Sequence, residues 1–428
     1  MAQGKESGRR RALAEALAPF SIREFRVLWT GQAVSAAGGG MTKVALLFAV
    51  LAVDGSVTDI GLVMTAQVTM QVLFTLAGGV WADRLPRQFL MLASDLIRAA
   101  AQLVLATLLL TGHAEVWHLI VGSAVFGAAQ AFFGPASSGL MAEIVPPEQL
   151  QRSNALLSFC NSAFTVLSPA LAGVVIALWG PGLVLAIDAV TFIVSAVSLG
   201  MLRLAPRTVP APESFLGDLR TGWREFVIRP WLWLNLIAHM LQNLAVAAYY
   251  VLGPAIADKS LGGPSAWGAI VAGWAAGAIA GGFIALKLEP RRPLIVGNLA
   301  LILTALPLLA LAVPTPLWTV VGTAFLSGAA TMFLDALWQA SMQQMIPAEV
   351  LSRVDSYDWM LSTLAAPLGL ALVGPLAAQT GNAQTLLIAA AMIVIPCGLT
   401  PLVPGIRAVR RSPDGVITGP PVKQPAQV

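Results

Sequence analysis

Gly79-Val-Trp-Ala-Asp83-Arg84-Leu-Pro-Arg87-Gln88 gathers one acid and two bases into a turn that a long apolar run enters and another leaves. Elsewhere charge is scarce. Of 428 residues, 57% are hydrophobic and 11% charged, against about 25% charged in a soluble globular chain. So little charge cannot cover a water-facing surface, and the bulk solvent must be lipid. The stretch is then a polar connection between two membrane-length helices, and the chain is read outward from it.

A helix needs about 20 apolar residues to cross the hydrocarbon. Runs of that kind lie at roughly 26–53, 58–82, 89–111, 116–141, 154–179, 182–204, 231–257, 264–287, 293–313, 317–342, 356–379 and 383–404. Gly and Pro interrupt many of them, which lipid tolerates when neighbouring helices satisfy the freed backbone groups. Lys5, Arg9, Arg10 and Arg11 precede the first run. That run exceeds the roughly 7–15 residues of a cleavable leader, so it reads as a retained span. The expected fold is all-α and integral to the membrane, with twelve transmembrane helices in two six-helix pseudo-repeats.

Lys and Arg orient the spans. They fall between spans 2 and 3 (Arg84, Arg87), 4 and 5 (Arg152), 6 and 7 (Arg203 to Arg229), 8 and 9 (Lys287, Arg291, Arg292) and 10 and 11 (Arg353), and in both tails. Of 25 such residues only Lys43, Arg98 and Lys259 fall elsewhere. Both termini are therefore expected in the cytoplasm. This divides the chain into a cytoplasmic segment 1–25, a six-helix half 26–204, a cytoplasmic loop 205–230, a second half 231–404 and a tail 405–428. The loop carries Phe215, Trp223 and Phe226 among charges and is expected to include an amphipathic helix on the inner surface. The tail is Pro-rich and polar and is expected to be disordered.

The halves echo each other. Ile144-Val-Pro146-Pro-Glu148-Gln-Leu150-Gln-Arg152 aligns with Met345-Ile-Pro347-Ala-Glu349-Val-Leu351-Ser-Arg353, 201 residues on. Gly79 to Arg87 aligns loosely with Gly282 to Arg291. In the second copy Leu286 takes the place of Asp83 and Gln344 that of Glu143, so both acids are missing. Parallel six-helix repeats with a substrate site near the midplane are an architecture of secondary transporters.

The opening stretch resembles the loop 2–3 signature of the major facilitator superfamily, Gly-x-x-x-Asp-Arg-x-Gly-Arg-Arg. Gly79, Asp83, Arg84 and Arg87 match, while Pro86 and Gln88 depart from it. Phe25-Arg-Val-Leu-Trp29-Thr-Gly31-Gln32, Pro147-Glu-Gln-Leu-Gln-Arg152-Ser-Asn154 and Ile187-Asp188-Ala-Val-Thr-Phe192 are similar to the branch that holds the enterobactin exporter and macrolide-efflux-type proteins. The resemblance implies alternating access, with export usually driven by proton influx. It also implies an inner-gate latch formed by Gly79, Asp83, Arg84, Arg87 and Glu143. Asp83 would face the N-terminus of span 11 near Asp355 and Ser356, where the helix dipole favours an anion, and Arg87 would pair with Glu143. A solvated turn obeying the positive-inside rule is the plainer reading.

Ionisable groups inside spans are costly in lipid and are functional candidates by default. Asp335, Asp188 and His239 are the proton-coupling candidates. Asp335 is favoured, because the resemblance implies that a tenth span lines the cavity; a residue near the inner mouth, exposed to water, is the rival reading. A lone His is more often a hydrogen-bonded packing residue, and Asp95 and Arg98, three apart on span 3, can pair with each other. Lys43, Gln130, Asn243 and Trp338 are substrate-cavity candidates; Lys43 could instead snorkel outward. Leu167-Ser168-Pro169-Ala-Leu-Ala-Gly173 partly matches an antiporter signature, so Pro169 and Gly173 are helix-bending candidates. Gly273, Gly277 and Gly281 form a small-residue packing face on span 8.

Cys160 and Cys397 lie inside apolar runs, and the sequence has no His-Glu-x-x-His and no Gly-x-x-x-x-Gly-Lys-Ser/Thr loop. An enzyme, a metal site and a cofactor are therefore not expected. The basic residues are scattered among connections, which gives nucleic acid no face to bind. The expected partners are a small-molecule substrate, protons and the lipid bilayer, with the chain acting as a monomer. The reading is a secondary active exporter of a small amphipathic, drug- or siderophore-like molecule in the cytoplasmic membrane of a bacterium, working by alternating access and proton antiport. The alternatives are an uptake carrier, or a membrane scaffold or sensor that binds without transporting.

Overall fold

The computed structural model describes residues 18–204 and 223–420. Side chains are described throughout these ranges except at 76–84 and at scattered positions within 135–155 and 348–356. Among the described residues, twelve helices are long and apolar enough to cross a membrane. In chain order they are α1 (Arg23–Ala52), α2 (Val57–Arg84), α3 (Arg87–Leu110), α4 (Val116–Ile144), α5 (Pro147–Trp179) and α6 (Pro181–Gly200). Then follow α7 (Pro230–Ile256), α8 (Pro264–Lys287), α9 (Pro293–Ala312), α10 (Leu317–Met345), α11 (Ala348–Thr380) and α12 (Asn382–Leu399). A 3-10 turn over Ile302–Ala305 interrupts α9. Pro307 follows after Leu306, and it cannot donate to the carbonyl four residues back.

The repeat seen in the sequence recurs in the backbone. Gly180 alone joins α5 to α6, and Gly381 alone joins α11 to α12, at φ +80° and +86°. Each amide closes the preceding helix, on the Ile176 and Ala377 carbonyls at 2.8 and 2.9 Å. A residue with a Cβ is strained at such angles, so glycine sits at both joints. Val145 and Ile346 end α4 and α10 in matching extended conformations.

The helices form two compact units, one of residues 1–53 with 66–210, the other of 54–65 with 211–428. The division expected at the central loop assigned 54–65 to the first half. These residues instead belong with the second unit, where Thr65 donates to the Pro367 carbonyl at 3.3 Å. In the first unit α1 packs on α5 and α6, and α3 on α4 and α6. In the second, α7 packs on α11 and α12, α8 on α10, and α9 on α10 and α12.

Lipid gives helices little hydrophobic reason to associate, so close backbone approach matters more. On α8, Gly273, Gly277 and Gly281 meet Val321, Phe325 and Ala329 of α10 one turn apart. A Cβ on Gly277 would run into the Phe325 carbonyl, and one on Gly328 into the Trp274 carbonyl. The glycine face is therefore a helix-packing seam within the chain. Phe159, Phe283, Leu286 and Trp318 point outward and are exposed, as a lipid-facing surface requires.

One expectation is corrected. The disordered tail expected over 405–428 is folded as far as it is described, to residue 420. A short helix α13 (Pro404–Arg407) leads into a hairpin of β1 (Arg410–Arg411) and β2 (Ile417–Thr418). Ile406, Val409 and Ile417 are buried in one core with Trp231, Trp338 and Met342. Polar, Pro-rich composition argued for disorder, but three apolar residues find long-range partners. The central loop expected over 205–230 is helical at 223–227, where Phe226 is buried in that core and stacks with Trp223 at 5.8 Å. Its end packs on the second unit through Phe226. Residues 205–222, with Phe215, lie outside the described residues.

Candidate functional site

The second unit contains a cavity of about 430 Å³. His239, Gln242 and Asn243 of α7 line it, at i, i+3 and i+4. Thr331, Asp335, Trp338 and Gln339 come from one face of α10. Asp355, Asp358, Trp359 and Ser362 come from one face of α11. Helical spacing explains the convergence, since residues three, four and seven apart share a face. Each helix spends one polar stripe on the cavity and its apolar residues on neighbours.

Hydrogen bonds hold the walls. Trp338 Nε1 donates to Asp358 Oδ2 at 2.9 Å, bridging α10 and α11. Asn243 Nδ2 donates to the Ser362 carbonyl at 3.0 Å, bridging α7 and α11. Asn298 of α9 donates to the Leu294 carbonyl at 2.7 Å and to Asn235 Oδ1 at 2.6 Å. Asn235 Oδ1 is thereby an acceptor, so its Nδ2 is the donor toward His239 Nε2, 3.1 Å away. The chain of bonds makes His239 Nε2 an acceptor, and a ring nitrogen that accepts carries no proton. His239 is thus a neutral imidazole whose ring meets Trp338 edge-on at 5.5 Å.

The carboxyls differ in their surroundings. Asp335 is exposed to the cavity, and neither it nor Asp355 has a hydrogen-bond or ion-pair partner among the described residues. Asp358 is only 8% exposed, and its Oδ1 is buried with no hydrogen-bond partner. Buried polar atoms are nearly always paired, so a bare one calls for an explanation. No Lys or Arg is among the described residues that line the cavity.

The first unit holds two charged arrangements. At its α2–α3 connection Arg87 pairs with Glu143 of α4 at 3.1 Å, partly exposed. Gln88 Nε2 donates to the Leu199 and Leu202 carbonyls at 2.7 and 3.1 Å, satisfying groups at the end of α6. Deeper in, Asp188 of α6 is fully buried. It accepts from Thr42 of α1 at 2.6 Å, from Gln102 of α3 at 2.9 Å and from Thr191 at 3.2 Å. Arg98 pairs with Asp95 beside it. Its guanidinium lies over the Phe133 and Phe192 rings, 4.4 and 4.3 Å from their centroids. Four helices are tied together there, with cation–π contact adding to the ion pair.

The Major Facilitator Superfamily sequence profile matches residues 28–370. The chain belongs to the Major Facilitator Superfamily. Macrolide efflux protein A of Streptococcus pyogenes is 24% identical over 392 residues, covering 90% of this chain and 96% of that protein. The multidrug efflux pump Tap of Mycolicibacterium fortuitum is 27% identical over 373 residues, covering 82% and 88%. Among solved structures, the nucleoside transporter NupG has a TM-score of 0.71 at 14% identity, covering 88% of this chain and 98% of that one. A bacterial homolog of the human lysosomal transporter Spinster, inward-facing and unoccupied, has a TM-score of 0.69 at 14% identity, covering 88% and 96%. These likenesses establish the fold. Members of the superfamily are transporters acting on small molecules, not enzymes, and this chain is one of them.

Of the residues singled out in the sequence, His239, Asn243, Asp335 and Trp338 come together around the cavity. Asp188 does not join them; it is locked in the α1–α3–α6 network of the first unit. Lys43 is exposed on α1 and Gln130 half-buried on α4, and neither lines the cavity. Pro169 is buried in α5, which runs unbroken through it and Gly173. The side chains of Gly79, Asp83, Arg84, Arg353 and Ser356 lie outside the described residues. In the second half, exposed Leu286 offers no charge, and Gln344 Oε1 accepts the Ile417 amide at 2.7 Å. Where the first repeat has an ion pair, the second has the tail. Asp358, Gln242, Gln339 and Trp359 escaped the sequence reading. Their signal was present as the spacing 355, 358, 359, 362 on one helix and 331, 335, 338, 339 on another.

Proposed function

We propose that this transporter is an exporter. It carries a small amphipathic molecule out of the cell by alternating access and exchanges it for protons. The observation that carries the reading is the cavity of the second unit. There an exposed carboxyl with no partner among the described residues, Asp335, stands with two indoles and three side-chain amides on a partly apolar wall. Such a wall suits a ligand held by apolar surface and oriented by a few polar groups. Efflux as the direction is supported by the relatives, two of which are named as efflux proteins and cover 90% and 82% of this chain.

In this reading Asp335 binds the coupling proton, since no Lys or Arg among the described residues that line the cavity holds it ionised. His239, whose Nε2 accepts from Asn235, shapes the wall. Asp188, saturated with donors, braces the first unit. Arg87 and Glu143, with Gly79, Asp83 and Arg84, form a latch at the cytoplasmic ends of α2 and α4, and Pro169 and Gly173 let α5 bend. The protein works as a monomer in the cytoplasmic membrane of a bacterium, with both termini inside, as the Lys and Arg placement supports.

The test is uptake into everted vesicles with and without a proton gradient, using a radiolabelled macrolide and the fluorescent amine proflavine. Gradient-dependent accumulation is expected for the wild type and its loss for Asp335→Asn. Binding without gradient-dependent movement by the wild type overturns export. Undiminished movement in Asp335→Asn removes Asp335 as the proton site.

A further inference from the structure

We infer that the folded tail and the 288–292 connection together build a site for the phosphate headgroup of an anionic phospholipid. The occupant is a lipid of the surrounding bilayer, and docking of the tail completes the site. What the transporter carries does not enter into it.

Two basic stretches far apart in sequence meet at one end of the second unit. Lys287, Arg291 and Arg292 come at the end of α8 and just after it, and Arg407, Arg410 and Arg411 come after α12. The Arg411 amide donates to the Arg291 carbonyl at 2.9 Å, and Arg411 Nη1 pairs with Glu289 at 3.4 Å. α9, which starts at Pro293, packs on both α12 and α13. Buried Ile406, Val409 and Ile417 hold the tail in place. Residues 287–292 and 404–418 carry six bases against two acids, Glu289 and Asp414. Arg411 engages Glu289, and strand alternation turns Arg410 outward beside it. Among the described residues Lys287, Arg291, Arg292, Arg407 and Arg410 have no ion-pair partner, and all five are exposed.

Like charges crowded in this way repel, so an anion that bridges them favours the docked tail. The fold also sets the depth of that anion. Exposed Phe283 and Leu286 on α8, and Ile395 and Leu399 on α12 with Leu402 just beyond, run up to the bases. An exposed apolar band that gives way to cations marks the boundary between hydrocarbon and headgroups. A phosphate held there has its acyl chains against the apolar band and its charge against the arginines. Arg meets a phosphate with two parallel N–H bonds, and clusters of about four to eight bases beside a span recognise anionic lipids. A soluble phosphate would use the charge and leave the apolar band unused, so the lipid answers both. The positive-inside rule accounts for bases in the 288–292 connection. It asks nothing of a tail that follows the last span, yet this tail folds back onto that connection.

The full-length protein in uncharged detergent is titrated with fluorescent phosphatidylglycerol and phosphatidylcholine of matched chains. Phosphatidylglycerol is expected to bind at least about 10-fold more tightly, since each Lys or Arg near an anionic surface contributes about 5-fold. Arg407→Gln with Arg410→Gln should remove most of that preference. Arg23→Gln with Arg203→Gln takes the same charge from exposed positions of the first unit and should leave it. Ile417→Gln keeps every base but opens the hairpin, and should lose it. Cleavage of the hairpin at 412–416 gives a second readout. A lipid that binds only the docked tail also stabilises docking. Cleavage should therefore be several-fold slower in nanodiscs containing phosphatidylglycerol than in phosphatidylcholine alone, and equal in the two for Arg407→Gln with Arg410→Gln. Equal affinity for the two lipids, an equal loss in the two double variants, or a preference retained in a hairpin opened by Ile417→Gln overturns the inference. Inorganic phosphate that slows cleavage in phosphatidylcholine discs as much as phosphatidylglycerol does overturns the lipid as occupant.

Discussion

Replacing Asp188 with alanine tests whether this buried acid braces the first unit or carries protons. In the structure it accepts from Thr42, Gln102 and Thr191, on α1, α3 and its own helix, with no exposure to solvent. Thr191 loses little, because its hydroxyl also donates to the Asp188 carbonyl at 2.8 Å. Thr42 and Gln102 lose their acceptor, and Arg98 loses a nearby negative charge. Side-chain hydrogen bonds between membrane helices average about 0.6 kcal/mol and reach about 1.7. Bonds to charged groups reach about 1.5–3 kcal/mol. Two such bonds, plus the cost of a stranded Gln102 amide, give a loss of about 2–5 kcal/mol for Asp188→Ala. Asp188→Asn keeps an oxygen for Thr42 and can face a rotated Gln102 amide, so its loss should be about 1–2 kcal/mol on the same scale. The assay is reversible unfolding in mixed micelles, with proton-driven transport measured in parallel. Wild-type stability in Asp188→Ala refutes the bracing argument. Full stability with lost coupling in Asp188→Asn makes Asp188 the proton carrier.

Three further outcomes follow from the same geometry. The Arg87–Glu143 pair is partly exposed, so a double-mutant cycle with Arg87→Gln and Glu143→Gln should give a coupling of no more than about 1 kcal/mol in stability. Its larger effect should appear as faster labelling of cysteines introduced at the ends of α2 and α4 beside the pair, and unchanged labelling counts against a latch. Gly277→Leu drives a side chain into the Phe325 backbone and should cost at least about 2–3 kcal/mol by overpacking. Gly322→Ala, which meets open space, should cost less than about 0.5 kcal/mol by comparison. Ile417→Asp places a charge in the core shared with Trp338 and Met342. It should release the hairpin to limited proteolysis at 412–416, and a protected hairpin contradicts the docking of the tail.

Among the candidates read from the sequence, those on α7 and α10 are the ones that meet. His239, Asn243, Asp335 and Trp338 stood out because a polar or ionisable group is conspicuous in an apolar run. Asp358 did not stand out, being close to the polar start of α11 and resembling a solvated loop residue. Its burial depends on Trp338 of the preceding helix, a contact that no local pattern encodes. The tail shows the same limit from the other side. Its composition is that of a disordered segment, and only contact with α10 and the 288–292 connection folds it.

Sequence by itself determined the solvent, the number of crossings and the repeat. These follow from apolar run length, from the placement of Lys and Arg, and from a spacing of 201 residues that recurs in the backbone at Gly180 and Gly381. It also marked which helices carry polar stripes. Tertiary structure decided which stripes meet, which acid is satisfied and which is left with a bare oxygen. The reason is physical: a helix's periodicity states how wide its polar face is, while the direction of that face is set by the neighbours it packs against. Asp188 and Asp358 are both buried acids on apolar helices. Only their surroundings, three donors in one case and a single indole in the other, tell them apart.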